Sequence, residues 1–376
     1  MINITILQEE LEKALTSVYR FVASRPQLPI LANILFAIEE GRVKLCATNL
    51  ESGINYWLGA KIEGVGRTTV SAKTLLDVVT SLPKEKIKVI EKGGSINLSC
   101  SGTDITIPTT PANEFPNAEY KTNLTSQNRA NTKSLAITPE IFSVIGKQVG
   151  FCASSDSEVK PEYTGILLIP TEKGFDAVAT DGVRLSQKTF KSSLPFPSKT
   201  LLPAKIISEV PRTFISQNIS VSTEENQVLF ITEDIILASR TLDAEKFPNF
   251  AKIIPSSKSL QANMDREELE RAIHLSSIFA RDYVVKFEFS SSGCSISSEN
   301  ASSGEQKTTI AAKVDGDDLS VSFNWRFVSD FLSSIAGNEV EIRLTNATSP
   351  GVFTDPKDPE YLHLIMPIRA VTPEAE

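Results

Sequence analysis

Histidine and cysteine are scarce in this sequence, and their scarcity excludes several kinds of site. The 376 residues include two histidines, His274 and His363, and four cysteines. A histidine-based metal site or a Ser-His-Asp triad is therefore poorly supplied. No two cysteines have the C-x-x-C spacing of a zinc or redox motif, and no glycine-rich phosphate-binding motif is present. We expect no metal, no cofactor, and thiols that are reduced and buried.

Long hydrophobic runs and an excess of positive charge are also missing. No apolar segment approaches the roughly 18 residues that span a bilayer. The first residues, Met1–Ile6, alternate as a strand does and lack the basic start of a signal peptide. These absences predict a cytoplasmic protein that does not use a membrane. The net charge is −8, so binding to nucleic acid would need a locally basic surface.

The sequence does contain an internal repeat. Ala179–Ser186 (ATDGVRLS) ends an alternating segment that predicts a strand, and its Asp-Gly pair predicts a turn. A related phrase, Ala47–Gly53 (ATNLESG), lies 132 residues earlier. Two further pairs of segments keep this offset: Val70–Lys73 with Leu202–Lys205, and Phe115–Asn117 with Phe247–Asn249. Repetition at this period indicates duplicated domains.

Each repeat has the same predicted order of a strand, a helix, further strands, a second helix and more strands. Thr138 before Pro139, and Asp265 three residues before Glu268, are typical of helix starts. Second helices are predicted to begin near three corresponding residues: Lys73, Lys205 and Trp325. The third repeat is more diverged than the other two but keeps the order.

This pattern predicts an α+β protein of three repeated domains. Polar connectors place the domain boundaries at residues 1–122, 132–255 and 258–376. Within the third domain, Glu299–Lys307 (ENASSGEQK) is polar throughout and is predicted to be a loop.

Taken together, these features resemble the bacterial DNA polymerase III beta subunit family, the sliding clamps. The resemblance covers nearly the whole chain. Its segments occur in this order: Pro29–Leu35, Ala47–Glu51, Ala179–Leu185, Phe247–Asn249, Phe323–Asn324 and Leu364–Arg369. It implies three DNA-clamp domains, each with two helices packed on antiparallel β-sheets, in a head-to-tail dimer that forms a closed ring.

The resemblance implies a processivity factor rather than an enzyme, with no catalytic residues. Such a ring encircles double-stranded DNA without reading its sequence. It tethers the replicative DNA polymerase, the clamp loader and repair proteins, which bind through short linear motifs. A net charge of −8 fits this arrangement, because enclosure retains DNA without tight phosphate contacts. The expected location is the bacterial cytoplasm, at the nucleoid.

The resemblance also implies DNA-contacting residues. Arg25 and Lys73 match basic positions of the family, and Lys205 is the lysine of the second repeat that corresponds to Lys73. The segment Ser154–Glu162 matches a DNA-contacting loop of the family. Here that segment is acidic, with Lys160 as its only cation, so no contact is assigned to it.

A pocket for partner peptides is implied in each subunit. By correspondence with the family it comprises Thr180, Gly182, Val183, Arg184, Leu185, Pro248, Ile253, Asn324, Phe327, Leu364, Met366, Pro367, Ile368 and Arg369. We expect an apolar floor of Leu185, Pro248, Ile253 and Leu364. Met366 is expected to adapt to different side chains, and Arg184 and Arg369 to be hydrogen-bond donors at the rim. Val183 stands where a histidine is common in the family, which makes that wall more apolar.

The subunit contact is predicted to join the first domain of one subunit to the third domain of its partner. Ile105 and Ile107, on an apolar edge strand, are expected to meet Ile278 and Phe279. The alternative is that all four are interior residues of their own domains. Replacing Ile278 and Phe279 together by alanine is predicted to yield monomers.

Two other functions stay open on the sequence alone. An enzyme could use a pair of carboxylates drawn from Glu51, Asp176 and Asp181, although Glu51 and Asp181 also have structural explanations at turns. The second alternative is a repeat-built interaction scaffold that never encircles DNA. Such a scaffold would bind linear and closed circular DNA equally.

Overall fold

A computed structural model describes most of the chain. The described residues are 1–23, 26, 28–116, 136–156, 160–193, 196, 198–215, 218–224, 226–300 and 304–368. Two predicted site residues, Arg25 and Arg369, lie outside them, as does part of the acidic segment 154–162. Among the described residues, no helix combines the length and the apolar character needed to cross a membrane.

The first repeat begins with a strand and a helix, as predicted. α1 spans Gln8–Tyr19 and buries Leu11, Leu15 and Val18 on one side, and α2 spans Ala72–Ser81. The strands are β1 (Asn3–Leu7), β2 (Asn33–Glu39), β3 (Arg42–Thr48), β4 (Ser52–Leu58), β5 (Lys61–Gly64), β6 (Arg67–Ser71), β7 (Lys86–Lys92), β8 (Ser95–Cys100) and β9 (Thr103–Thr110).

The second repeat follows the same order. α3 spans Pro139–Gln148 and starts at the predicted proline, and α4 spans Ala204–Thr213 and starts next to Lys205. The strands are β10 (Ala136–Ile137), β11 (Gly165–Thr171), β12 (Gly174–Thr180), β13 (Arg184–Phe190), β14 (Thr200–Pro203), β15 (Ile219–Glu224), β16 (Gln227–Ile231) and β17 (Ile235–Arg240).

The third repeat confirms two predicted helix starts. α5 spans Arg266–Phe279, and the side chain of Asp265 accepts from the backbone N–H of Glu268 at 2.9 Å, which caps the helix. α6 spans Trp325–Ser334. The strands are β18 (Leu260–Asp265), β19 (Val284–Ser290), β20 (Gly293–Asn300), β21 (Gly304–Ile310), β22 (Ala312–Gly316), β23 (Leu319–Asn324), β24 (Glu339–Leu344), β25 (Gly351–Asp355) and β26 (Asp358–Ile365).

The first of two compact units comprises residues 1–141 and 208–241. Its strands form one 13-stranded sheet in the order β10-β15-β16-β17-β4-β3-β2-β6-β9-β8-β7-β1-β5. β17 of the second repeat pairs antiparallel with β4 of the first. Beside this junction, Arg42 donates to Asp234 at 2.5 Å and to the carbonyl oxygen of Trp57 at 3.0 Å. Main-chain and side-chain bonds therefore both link the first two repeats.

The second compact unit comprises residues 142–207 and 242–376. A nine-stranded sheet has the order β14-β11-β12-β13-β26-β25-β24-β18-β22, and a four-stranded sheet has the order β21-β20-β19-β23. β13 of the second repeat pairs antiparallel with β26 of the third, and Lys188 forms an ion pair with Asp358 across these two strands. The second and third repeats are thus linked in the same way as the first and second.

These junctions bear on the domain boundaries. Sheets pass from one repeat to the next, so the compact units divide the chain differently from the repeats. The boundaries at 1–122, 132–255 and 258–376 stay predictions, and much of the first connector lies outside the described residues.

The predicted loop Glu299–Lys307 is largely wrong. β20 extends through Asn300 and β21 starts at Gly304, and these two residues are paired across the strands. The ends of both strands are exposed and polar, so the sequence carries no apolar alternation there. Main-chain hydrogen bonds extend the hairpin past the part whose side chains are buried. In that extension no alternation of apolar residues is available to predict a strand.

Candidate peptide-binding site

The site is built around the turn between β12 and β13. The hydroxyl of Thr180 donates to the carbonyl oxygen of Arg184 (2.6 Å) and accepts from the N–H of Gly182 (3.0 Å). Asp181 Oδ1 accepts from the N–H groups of Val183 (3.1 Å) and Arg184 (3.0 Å). Gly182 has a φ of +95°, which glycine adopts without strain. The predicted turn is confirmed, and it exposes Val183 at its tip.

The first repeat contains the same turn. The hydroxyl of Thr48 donates to the carbonyl oxygen of Ser52 (3.0 Å) and accepts from the N–H of Leu50 (3.0 Å). Asn49 Oδ1 accepts from the N–H groups of Glu51 (3.1 Å) and Ser52 (2.7 Å). Leu50 has a φ of +75°, in the region where the second repeat has glycine. The sequence repeat is therefore a repeat of hydrogen bonds as well.

Arg184 is held inside the site rather than at its rim. Its guanidinium donates to Asp181 (2.9 Å), to Asp330 (2.5 Å) and to the carbonyl oxygen of Phe151 (2.8 Å). It also lies 4.4 Å from the centre of the Phe327 ring. The expectation of a rim donor is wrong for Arg184, because these acceptors occupy its donors and only 12% of its side chain is exposed. Arg184 instead links the turn to α6.

The floor of the site is apolar, but the prediction of its residues is only partly right: Pro248 is half-buried and Ile253 is exposed. Leu185 and Leu364 are buried and lie opposite each other on β13 and β26. They belong to one buried cluster with Phe247, against which Phe250 and Ile254 pack. Phe250 and Ile254 were not among the predicted pocket residues, although both follow the Phe-Pro-Asn segment within a few positions.

Exposed apolar side chains flank this floor. Val183 is 47% exposed, Ile253 43% and Met366 41%. The N–H of Met366 donates to the carbonyl oxygen of Val183 at 2.9 Å, so these two lie side by side. Ile253 is connected to the same region through its neighbour Ile254, which packs against the buried cluster. Exposed apolar groups beside a formed apolar floor suit an apolar peptide side chain.

The remaining predicted pocket residues lie around this surface. Asn324 accepts from the N–H of Arg326 at 3.0 Å and caps α6, so its side chain has a structural role. The N–H of Ile368 donates to the carbonyl oxygen of Ser322 at 2.8 Å, which ties the segment after β26 to β23. Pro248, Phe327, Pro367 and Ile368 are half-buried.

A buried polar network lies beneath the floor, and it was not predicted from the sequence. Ser186 and His363 are opposite each other on β13 and β26, with Ser186 Oγ 2.7 Å from His363 Nδ1. The thiol of Cys152 donates to Ser186 Oγ at 3.2 Å. Burial, with a smaller contribution from the nearby charge of Arg184, lowers the pKa of His363 to about 3. The imidazole is therefore neutral at physiological pH and supports the strand pair that carries the site.

The lysines predicted to contact DNA begin the second helices. Lys73 is the second residue of α2 and Lys205 the second residue of α4, and both are exposed. Arg25 lies outside the described residues. In the acidic segment, Lys160 lies 4.8 Å from the centre of the Tyr163 ring.

The residues predicted at the subunit contact differ in exposure. Ile278 is 61% exposed and Phe279 is half-buried, whereas Ile107 is buried within its own unit and Ile105 is half-buried. Ile107 therefore offers little side-chain surface to a partner, because its alternating position on β9 faces the core. Leu275, one helical turn before Ile278, is 46% exposed and was not among the residues predicted at the contact. β9 pairs with β8 from Thr103 to Pro108, and among the described residues only its last two positions pair with β6.

Two of the three carboxylates considered for an enzyme, Asp176 and Asp181, have structural partners. Asp176 accepts from the hydroxyl of Thr189 at 2.6 Å and from the side-chain amide of Gln187 at 3.2 Å. Asp181 holds the turn and Arg184. Both are therefore explained by the fold.

Three family models match consecutive parts of the chain. They describe the N-terminal, central and C-terminal domains of the DNA polymerase III beta subunit and match residues 2–119, 136–249 and 251–369. The chain belongs to the DNA polymerase III beta subunit family. Like the family, it has three clamp domains of helices and antiparallel sheet.

Relatives of this family match over their full length. The chain is 27% identical to the beta sliding clamp of Synechococcus elongatus, covering 96% of this chain and 98% of that protein. It is also 27% identical to the beta sliding clamp of Caulobacter vibrioides, covering 98% and 100%. The beta subunit structure from Thermotoga maritima is 26% identical, with a TM-score of 0.89 over 98% of this chain and 100% of that one. The Bacillus subtilis sliding clamp shares the fold at 22% identity, with a TM-score of 0.89 over 98% and 99%.

Proposed function

We propose that this member of the beta subunit family is a DNA sliding clamp. Two subunits join head to tail as a ring, which encircles double-stranded DNA and makes a replicative polymerase processive. The observation that carries the proposal is the match of three consecutive clamp-domain models over almost the whole chain. Relatives that match over their full length are named beta sliding clamps.

The charge of the chain supports retention by enclosure. Double-stranded DNA carries about one negative charge per 1.7 Å, and this protein has a net charge of −8. Tight binding by overall attraction is therefore excluded, whereas a closed ring is retained by its topology. A few cations facing the DNA, for which we propose Arg25, Lys73 and Lys205, give weak contacts that exchange as the ring slides.

The pocket supports the partner part of the proposal. A floor of Leu185 and Leu364, flanked by the exposed Val183, Ile253 and Met366, suits the apolar end of a short linear peptide. We propose that the replicative polymerase, the clamp loader and repair proteins dock here in turn. The chain itself supplies no catalytic group in this function, which takes place in the cytoplasm at the nucleoid.

Retention on closed DNA tests the proposal. The protein is loaded with a bacterial clamp loader and ATP onto a nicked circular plasmid, and the complex is separated from free protein by gel filtration. A ring should stay on the circle and be lost when the plasmid is linearised with a restriction enzyme. Equal retention on circular and linear DNA would instead favour an interaction scaffold that does not encircle DNA.

A further inference from the structure

The second helices of the three repeats share one feature beyond their starting positions. The second residue of each helix is a cation: Lys73 in α2, Lys205 in α4 and Arg326 in α6. The first two follow an alanine, whereas Arg326 follows Trp325 in the diverged third repeat. For that reason the sequence comparison between repeats did not single out Arg326.

Arg326 lies on a small aromatic surface. Its guanidinium carbon is 3.8 Å from the centre of the Tyr283 ring and 5.6 Å from the Trp325 ring. The two rings meet edge to face with their centres 6.4 Å apart. Tyr283 is 44% exposed and Arg326 is also exposed. We call Tyr283, Trp325 and Arg326 the aromatic-arginine surface.

No ion pair involves the Arg326 side chain within the described part of the chain. This sets it apart from Arg184, whose guanidinium is bound by two aspartates. Stacking on Tyr283 covers the face of the guanidinium and leaves the N–H groups at its edge directed away from the ring. Such an edge can bind a phosphate through two parallel hydrogen bonds.

The backbone beside this surface adopts conformations that side chains disfavour. Asp282 has a φ of +51° and Tyr283 a φ of +66°, in the left-handed region that is unfavourable for residues with a side chain. These two residues lie in the connection from α5 to β19. The second of them, Tyr283, carries the ring that contacts Arg326. Tyr283 is thus a stacking partner for an arginine that has no carboxylate partner among the described residues.

We propose that the aromatic-arginine surface contacts the phosphate backbone of the encircled DNA. Arg326 is then the third-repeat counterpart of Lys73 and Lys205, and the aromatic rings fix the orientation of its guanidinium. The occupant follows from local charge complementarity, since Arg326 is exposed and has no ion pair among the described residues, so its positive charge attracts a polyanion. This inference rests on the proposed clamp function.

An acidic residue of a partner peptide is the other candidate occupant, because Asn324 and Phe327 of the proposed pocket lie beside Trp325 and Arg326 in sequence. The shared position of the three cations in the three second helices favours DNA. The peptide is therefore an outcome that the experiment must separate.

Salt-dependent binding to DNA tests this inference. The full-length R326Q variant is compared with K313Q, which makes the same charge change at an exposed strand position of the same repeat. Equilibrium binding to a short fluorescein-labelled duplex is followed by anisotropy over a range of low salt concentrations. R326Q should weaken binding and reduce the slope of log K against log salt by about 1, and K313Q should leave the slope unchanged. Y283A should weaken binding less than R326Q, because the charge remains but its orientation is no longer fixed.

Two further measurements make the outcome unambiguous. If R326Q and K313Q show the same slope, the inference is wrong. If R326Q weakens binding of a partner peptide while duplex binding is unchanged, the surface belongs to the peptide site and the inference is also wrong. Retention of the wild-type ring on circular and linear DNA is measured in parallel. If the wild-type protein is retained equally on circular and linear DNA, the clamp function itself is wrong. If it is retained only on circular DNA and R326Q has the wild-type salt slope, only this inference is wrong.

Discussion

Burial decides the roles of two arginines in the second compact unit. Arg184 is 12% exposed and bound by Asp181 and Asp330, so its charge holds the turn of the peptide site in place. Arg326 is exposed and stacks on Tyr283, so its N–H groups face solvent. The same side chain is a structural group in one place and a candidate ligand-binding group in the other.

Met366 is the residue whose replacement tests the peptide pocket most directly. It is 41% exposed and lies beside Val183, so Met366→Ala should leave the free energy of unfolding within about 0.5 kcal/mol of the wild type. Affinity for a clamp-binding peptide should fall by about 5- to 30-fold, as for a residue contributing 1–2 kcal/mol to an interface. Fluorescence anisotropy with a labelled peptide measures this, and Ile215→Ala, at a position 69% exposed in the first unit, is the control. An unchanged affinity would place the peptide elsewhere.

His363 makes the stability of the protein depend on pH. Its pKa is about 3 in the folded protein and about 6.5 in an unfolded chain. Between these values the unfolded chain binds a proton that the folded protein does not. The free energy of unfolding therefore falls as the pH drops from about 6.5 towards 3, by up to about 1.4 kcal/mol per pH unit from this group.

Urea unfolding at a series of pH values measures this dependence. His363→Asn should show a shallower fall below pH 6.5 than the wild type, even if its overall stability is lower, because no imidazole remains to be protonated. His274→Asn, at an exposed position, should follow the wild-type curve. Parallel curves for the wild type and His363→Asn would contradict the assignment.

At the scale of elements, close backbone approach restricts the hairpin that carries the site. Gly174 starts β12 with a φ of +155°, and a Cβ built on it would lie 1.8 Å from the carbonyl oxygen of Phe190. Gly174→Ala should therefore lower the free energy of unfolding by about 2–4 kcal/mol.

Gly146 is the matched control for that substitution. It lies within α3, and a Cβ there meets nothing within 4 Å. Gly146→Ala should raise the free energy of unfolding by about 0.5–1 kcal/mol, because alanine favours a helix interior. Denaturant unfolding of both variants measures the difference. Equal effects of the two substitutions would contradict the packing around β12.

Elements also show where prediction from sequence succeeds. The start of α3, the cap of α5, the turn at Asp181 and the starts of the second helices are local patterns of a few residues, and all were predictable. The end of the β20–β21 hairpin was not, because Glu299 and Gly304 belong to exposed polar strands with no apolar alternation. The two strands pair there through main-chain hydrogen bonds, which any residue except proline can form and which the residue types therefore do not predict.

At the scale of the whole molecule, α5 carries the proposed subunit contact. Leu275 and Ile278 are 46% and 61% exposed and lie one turn apart, so their removal should weaken the dimer with little loss of folding. Light scattering should give about twice the chain mass of 41.1 kDa for the wild type. It should give about one chain mass for Leu275→Ser with Ile278→Ser.

A matched double variant controls for the effect of two new serine side chains on the protein surface. Val65 and Ile215 are 71% and 69% exposed and lie outside the proposed contact, so Val65→Ser with Ile215→Ser should remain dimeric. If the α5 variant also has the dimer mass, the subunit contact is not formed by this face of the helix.

The sequence by itself determined the order of elements and the local turns, because these depend on residues a few positions apart. It also determined the repeat, because similar segments recur at one offset of 132 residues. Only the tertiary structure decided how the site is assembled. Arg184 meets Asp330 across 146 positions and Ser186 meets His363 across 177. These contacts exist because β13 and β26 pair across a repeat junction. Main-chain bonds make that junction, and any two exposed strand edges could form such bonds, so side-chain patterns did not reveal it.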